Sequence, residues 1–187
     1  MTAPDPIYQE IEQDLWAWIN EFVTVPNEFY GFKFAPCPYA RQAVLNNKVD
    51  VQVWQSGDVR AYIRDRAIDM RESPQLTTRV MAFPPKTRFL WGINDYVEEL
   101  NTELVSSNIF LNTGIAKTSQ SRFPGSSTKD PYFIVIANSL AAVLSGAESL
   151  AKSDYYKDWP AEHYAHVVER RARFAKKYGI KPEPPQS

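Results

Sequence analysis

Residues 132–137 read Tyr132-Phe133-Ile134-Val135-Ile136-Ala137. A continuous apolar run of this length, set between Asp130-Pro131 and Asn138-Ser139, predicts a central strand buried on both faces. Two further strands are expected before it. Val49, Val51 and Val53 alternate with Asp50 and Gln52, the period of a half-buried strand. Residues 77–83 (TTRVMAF) form another, stopped by Pro84-Pro85. Helical periods separate these segments, so the strands need crossover connections. The fold class expected is α/β or α+β: a single domain over 1–187 with about three strands in a mostly parallel or mixed sheet, flanked by helices.

The helices are marked by their ends. Asp5 is a candidate N-cap with Pro6 at the first helical position, and Ile7, Ile11, Leu15, Trp18, Ile19 and Phe22 continue the period to residue 23. Pro38–Leu45 is a short helix. Asp58 caps a second amphipathic segment running from Val59 through Met70. A third runs from Phe89 to about Val105, with 106–111 as an extension. Leu140–Leu150 and Pro160–Tyr178 complete the set, the last closed by Gly179. Residues 112–131 are rich in Ser, Thr, Gly and Pro, carry Lys117, Arg122 and Lys129, and read as a flexible loop. Residues 180–187 read as a loose tail.

Composition narrows the function classes. The chain has 187 residues with 21 Lys+Arg against 22 Asp+Glu, so a formal charge of -1 argues against a nucleic-acid partner. A single Cys excludes an internal disulfide and an all-Cys zinc site. No apolar stretch reaches the ~18 residues of a membrane span, and the acidic start MTAPDPIYQE is no secretory signal. The expectation is a soluble, cytoplasmic protein with no membrane partner. Its oligomeric state is not written in the composition.

Cys37 is the sharpest chemical feature. It precedes Pro38 in Pro36-Cys37-Pro38-Tyr39-Ala40, which makes it the cap of the short helix. Backbone N–H groups and the helix dipole there favour thiolate, and Arg41 lies one turn on. The competing reading is an inert sulfur filling space among Phe32, Phe34 and Tyr39. His163 and His166, the two histidines, stand three apart on a helix and offer ligands to a haem iron; the alternative is a pair of surface residues. No third ligand accompanies them, so no metal site is assigned. Arg170, Arg171, Arg173, Lys176 and Lys177 read as the cationic end of a solvated helix. The five Trp and ten Tyr serve the core or line a pocket for a flat ligand.

Two resemblances bear on these residues. Cys37-Pro38-Tyr39 opening a helix before a strand resembles the active-site turn of glutaredoxins, with Ala40 where the second Cys of a dithiol motif would stand. That likeness implies monothiol redox chemistry. More of the chain is similar to the YqcI/YcgG-type family, some members of which are haem-dependent N-oxygenases. The matching pieces are Phe34-Ala35-Pro36-Cys37-Pro38-Tyr39-Ala40, Thr77–Phe83, Phe123-Pro124-Gly125 and Asp130–Ser139. The resemblance implies an oxidoreductase acting on a small-molecule substrate, with haem as a cofactor. Under that reading Cys37 and Arg41 are catalytic, Phe34, Tyr39, Arg122, Phe123 and Asn138 bind substrate, and His163 and His166 bind the cofactor. The alternative is a non-catalytic interaction or ligand-binding protein.

Overall fold

In the computed structural model, residues 5–87, 90–114 and 129–184 are described. Asp5 caps α1 (Pro6–Trp18), its Oδ1 accepting from the Ile7 amide at 3.1 Å. The helix runs on into a π-helical turn, Ile19–Val23, in which the Thr24 amide donates to the Ile19 carbonyl at 3.1 Å. Then come α2 (Pro38–Leu45), β1 (Val49–Val53), α3 (Val59–Arg71), β2 (Thr78–Phe83) and α4 (Ile93–Leu104). After these follow β3 (Ile109–Thr113), β4 (Phe133–Ser139), α5 (Leu140–Leu150), α6 (Ala161–Tyr164) and α7 (Arg170–Tyr178). A second π-helical turn, Ala165–Glu169, joins the last two.

The sheet order is β1-β2-β4-β3. β1 and β2 are parallel, while β4 runs antiparallel to both its neighbours, so the sheet is mixed. Period-2 alternation decides what each face meets. Met81, Phe83, Val135, Ala137 and Leu111 turn to one side and pack with Ile63, Ala67, Val97 and Leu100 of α3 and α4. Val80, Ala82, Ile134 and Val51 turn to the other, where Ile11 and Leu15 of α1 and Ile19 of the π-helical turn cover them. α5 and α7 pack beside α1 over the β3 end of that face, around Phe110, Leu140 and Ala175. The chain forms a single domain, and no described helix is long and apolar enough to cross a membrane.

The fourth strand, β3, stands where the sequence predicted a helical extension. Asn108 adopts a left-handed φ of 62° and ends the helix. Its side chain then accepts from the Ala141 amide at 2.7 Å and donates to Ser139 Oγ at 3.1 Å, so the stop is tied to the start of α5. A short apolar run such as Ile109-Phe110-Leu111 has no period that separates strand from helix. The start of α4 also differs: Gly92, at φ 71°, sets the first described helical residue at Ile93.

Two buried side chains bind the layers. Arg79 on β2 donates through Nε to Asp50 on β1 at 2.7 Å and through Nη1 to the Arg66 carbonyl of α3 at 2.7 Å. Asn101 of α4 is fully buried; its amide donates to the Leu111 carbonyl at 3.0 Å and accepts from the Leu111 amide at 2.7 Å. It thereby completes the outer hydrogen bonds of an edge strand. Replacing Asn101→Ala strands both backbone groups and is expected to cost about 2–4 kcal/mol. The readout is a lower urea midpoint at unchanged slope; an unshifted midpoint would show that water reaches Leu111.

Candidate functional site

α1 is too short to cover its whole face of the sheet. The uncovered part is the floor of a cavity of about 360 Å³. Most of its strand residues share the α1 face: Val49 from β1, Thr78 and Val80 from β2, Asn112 from β3, and Ile136 and Asn138 from β4, with Thr113 of opposite parity at the end of β3. The floor is partly polar. Thr78 Oγ1 donates to Asn138 Oδ1 at 3.2 Å, and Asn112 and Asn138 are both buried.

The walls are aromatic. Tyr155 and Tyr156 follow the end of α5, and Trp159 precedes α6. Tyr155 stacks on Tyr30 with centroids 4.8 Å apart, and its hydroxyl donates to the Pro36 carbonyl at 2.6 Å. Trp159 donates to the Tyr30 hydroxyl at 3.0 Å and meets the His163 ring at 4.7 Å. These contacts clamp the aromatic segment 155–159 to the loop that carries Cys37. Both π-helical turns reach the same cavity, through Ile19 and Val23 on one side and His166 and Val167 on the other. Such widened turns shift the register of the residues that follow and recur at functional sites.

Tyr39 is held by an absence. A Cβ on Gly146 of α5 would lie 1.7 Å from Tyr39 Cε1, so the ring rests on bare helix backbone. The Tyr39 hydroxyl is buried without a well-formed hydrogen bond, and burial pushes its pKa far up.

Cys37 caps α2, with Pro38 at the first helical position, and it lines the cavity, as its place before the helix suggested. Its titration runs against the thiolate expectation. Burial pushes the Cys37 thiol up, outweighing the Ala40 and Tyr39 amides and the nearby Arg171, all of which pull it down. The sulfur is therefore a thiol at neutral pH.

His163 and His166 also line the cavity, His163 half-buried in the wall and His166 exposed at the rim. Burial, then the neighbouring His166 and Arg171, lowers the His163 pKa to about 4. Burial chiefly lowers that of His166. Both rings are neutral under ordinary conditions, which leaves each a nitrogen lone pair. Among the described residues no group of three or more His, Cys, Asp or Glu could hold a metal ion.

Other candidates fall elsewhere. Arg41, expected beside Cys37, is exposed and absent from the cavity lining, because Ala40, Gln42, Ala43 and Asn46 carry the inward face of α2. Phe34 packs edge-on to Tyr155, 5.5 Å away, in the layer behind the wall rather than at the cavity. Asn138 is on the floor. Arg122 and Phe123 lie outside the described residues. Residues 180–184 have no regular structure. Ile180 packs with the α5–α7 cluster, while the Glu183 amide donates to the Ala141 carbonyl at 3.2 Å and its carboxylate accepts from Ser139 Oγ at 3.3 Å.

The site does contain cations, Lys48 and Arg171, the latter read from sequence as part of a solvated helix end. α7 turns Arg170 toward Glu98, with which it forms an ion pair, while Arg171 faces the cavity. Arg171 Nε is buried and has no hydrogen-bond partner. Asn112 and the aromatic segment 155–159 were likewise missed as site residues. One available signal was Gly146 in the middle of a helical segment, which marks a close approach.

Two outcomes test this geometry. Gly146→Ala is expected to destabilise the protein by about 1–3 kcal/mol through overpacking against Tyr39. In a Tyr39→Ala background the same change is expected to stabilise by up to ~1 kcal/mol, since alanine is the better helix former. Equal effects in both backgrounds would separate the two residues. For Cys37, alkylation by a neutral maleimide should be slow at pH 7 and still accelerating above the ~8.5 of an ordinary thiol; a rate plateau below pH 8 would mean a thiolate.

No family model, no curated protein and no solved structure matches the chain.

Proposed function

We propose that this protein binds a small, flat metabolite in the cavity over the uncovered end of the sheet. The observation that carries the reading is the cavity itself: about 360 Å³, walled by Tyr39, Tyr155, Tyr156 and Trp159, with a few convergent polar groups on its floor and rim. That combination of apolar wall and sparse polar contacts is the ordinary character of a small-ligand site, at the lower end of its size range. Tight seating of Tyr39 against Gly146 supports a shaped wall rather than a loose surface cleft.

A second reading makes the protein an oxidoreductase on such a metabolite, haem-dependent as the family resemblance implies. The observation favouring it is His163, whose ring is held neutral beside Trp159 in the cavity wall. Its donor chemistry fits an axial iron ligand, and the aromatic surroundings fit a flat macrocycle, though the cavity's volume suits a smaller guest better. A bound haem would supply the oxygen chemistry, while this chain's part would be to hold the group and exclude water. The protonated Cys37 gives no support to a monothiol mechanism.

The experiment is a spectrum and a binding screen on freshly purified protein. Thermal stabilisation and a change in Trp fluorescence with one- and two-ring aromatic metabolites are expected. Val143→Trp, which fills the cavity, should abolish both effects. A Soret band, or one that forms on adding haemin and is lost in His163→Ala, would select the second reading. No response to any probe, with Val143→Trp unchanged in stability, would overturn both.

A further inference from the structure

Two neighbouring arginines on one helix have opposite circumstances. Arg170 is buried but has a carboxylate partner: it pairs with Glu98 and lies 4.9 Å from the Phe110 ring centroid. Arg171 has no ion-pair partner among the described residues, and its Nε is buried without an acceptor. The titratable groups coupled to it are Cys37, Tyr39, Tyr156, His163, His166 and Arg170. None of these offers a carboxylate. Held against aromatic walls, its Nε loses hydration that no described acceptor replaces.

Arg171 is not alone in this. Asn112 Nδ2, on the floor, is also a buried donor without a partner, and the Tyr39 hydroxyl, in the wall, has only the Tyr156 hydroxyl beside it, without a well-formed bond. Two unmatched donors and one weakly matched donor therefore belong to residues lining one cavity. Buried polar groups in folded proteins are nearly always paired, so such a set calls for an acceptor from outside. The remaining charges are mixed, with one cation against one carboxylate. Lys48 adds a second cation to the lining, the histidines are neutral, and Glu183 is already engaged by Ser139.

We propose that the ligand of this cavity is a small aromatic carboxylate whose carboxyl group is bound by Arg171, with Asn112 and Tyr39 as further donors. The inference rests on the small-molecule reading and specifies its ligand class. Arginine suits this task because its fork meets a carboxylate with two parallel hydrogen bonds, which a lysine cannot do. The apolar wall takes the ring, and the unpaired guanidinium takes the charge. A haem propionate presents the same carboxylate on a larger ring, so the two sources need separate arms in the test.

The test is calorimetric titration of the full chain with benzoate, cinnamate, indole-3-carboxylate and 2-naphthoate, each beside its primary amide. At least one acid is expected to bind, with its amide weaker by roughly tenfold to a hundredfold. R171M should remove that difference by weakening the acid to the level of the amide, and R171K should recover only part of it. Acid and amide binding equally well to the wild-type protein would overturn the carboxylate assignment and leave the small-molecule site standing. Failure of every acid and every amide would overturn both. Haemin is the separate arm: binding that depends on Arg171, with no response to the small acids, would assign the arginine to a cofactor and overturn its role toward substrate. The acid–amide comparison on the wild-type protein needs no variant to fold.

Discussion

A four-stranded sheet with apolar residues on both faces needs cover on both, and on one face the described helices leave part of it uncovered. α3 and α4 seal one side with a continuous apolar layer. On the other, α1 seals the part around Val51, Ala82 and Ile134 and then ends in a π-helical turn. What remains is roofed by α2, α5 and the aromatic segment 155–159, which enclose space where they meet above the sheet. The polar residues Thr78, Asn112 and Asn138 lie under that roof, on strands whose other residues are mostly apolar. The hollow and the break in the apolar pattern thus have one origin.

The electrostatics follow from the same shortage of cover. Aromatic walls exclude water, and each ionisable group behind them shifts toward its neutral form: the Cys37 thiol and the tyrosines upward, His163 and His166 downward. Burial lowers Arg171 as well, but a guanidinium stays charged at any ordinary pH. Under the proposed reading, a mostly neutral lining that keeps this cation beside Lys48 would select its ligand by charge as well as by shape.

The sheet was legible where one period dominated. Val49-Val51-Val53 and the run 132–137 each had a single reading, and Asp5, Asp58 and Pro38 marked helix starts that the structure reproduces. β3 was not legible, because Ile109-Phe110-Leu111 fits either element and a backbone turn at Asn108 decided between them. Within the site, Cys37, Tyr39, Asn138 and the two histidines were brought together. Arg41 was not, since adjacent helical residues point about 100° apart and the inward face of α2 belongs to its neighbours. Arg171 was hidden by its company. A basic run reads as solvated, and a π-helical turn just before it, invisible in composition, helps set which arginine meets Glu98 and which meets the cavity.

Asn101 has a consequence beyond the helix it sits on. β3 is the last strand on its side of the sheet, and the outward N–H and C=O of Leu111 are already taken by a side-chain amide. An incoming strand, from a peptide or from a second molecule, would find its pairing sites occupied at the middle of the border. Growth of the sheet by strand addition is blocked there, and so is the fibre-like polymer that an open border invites.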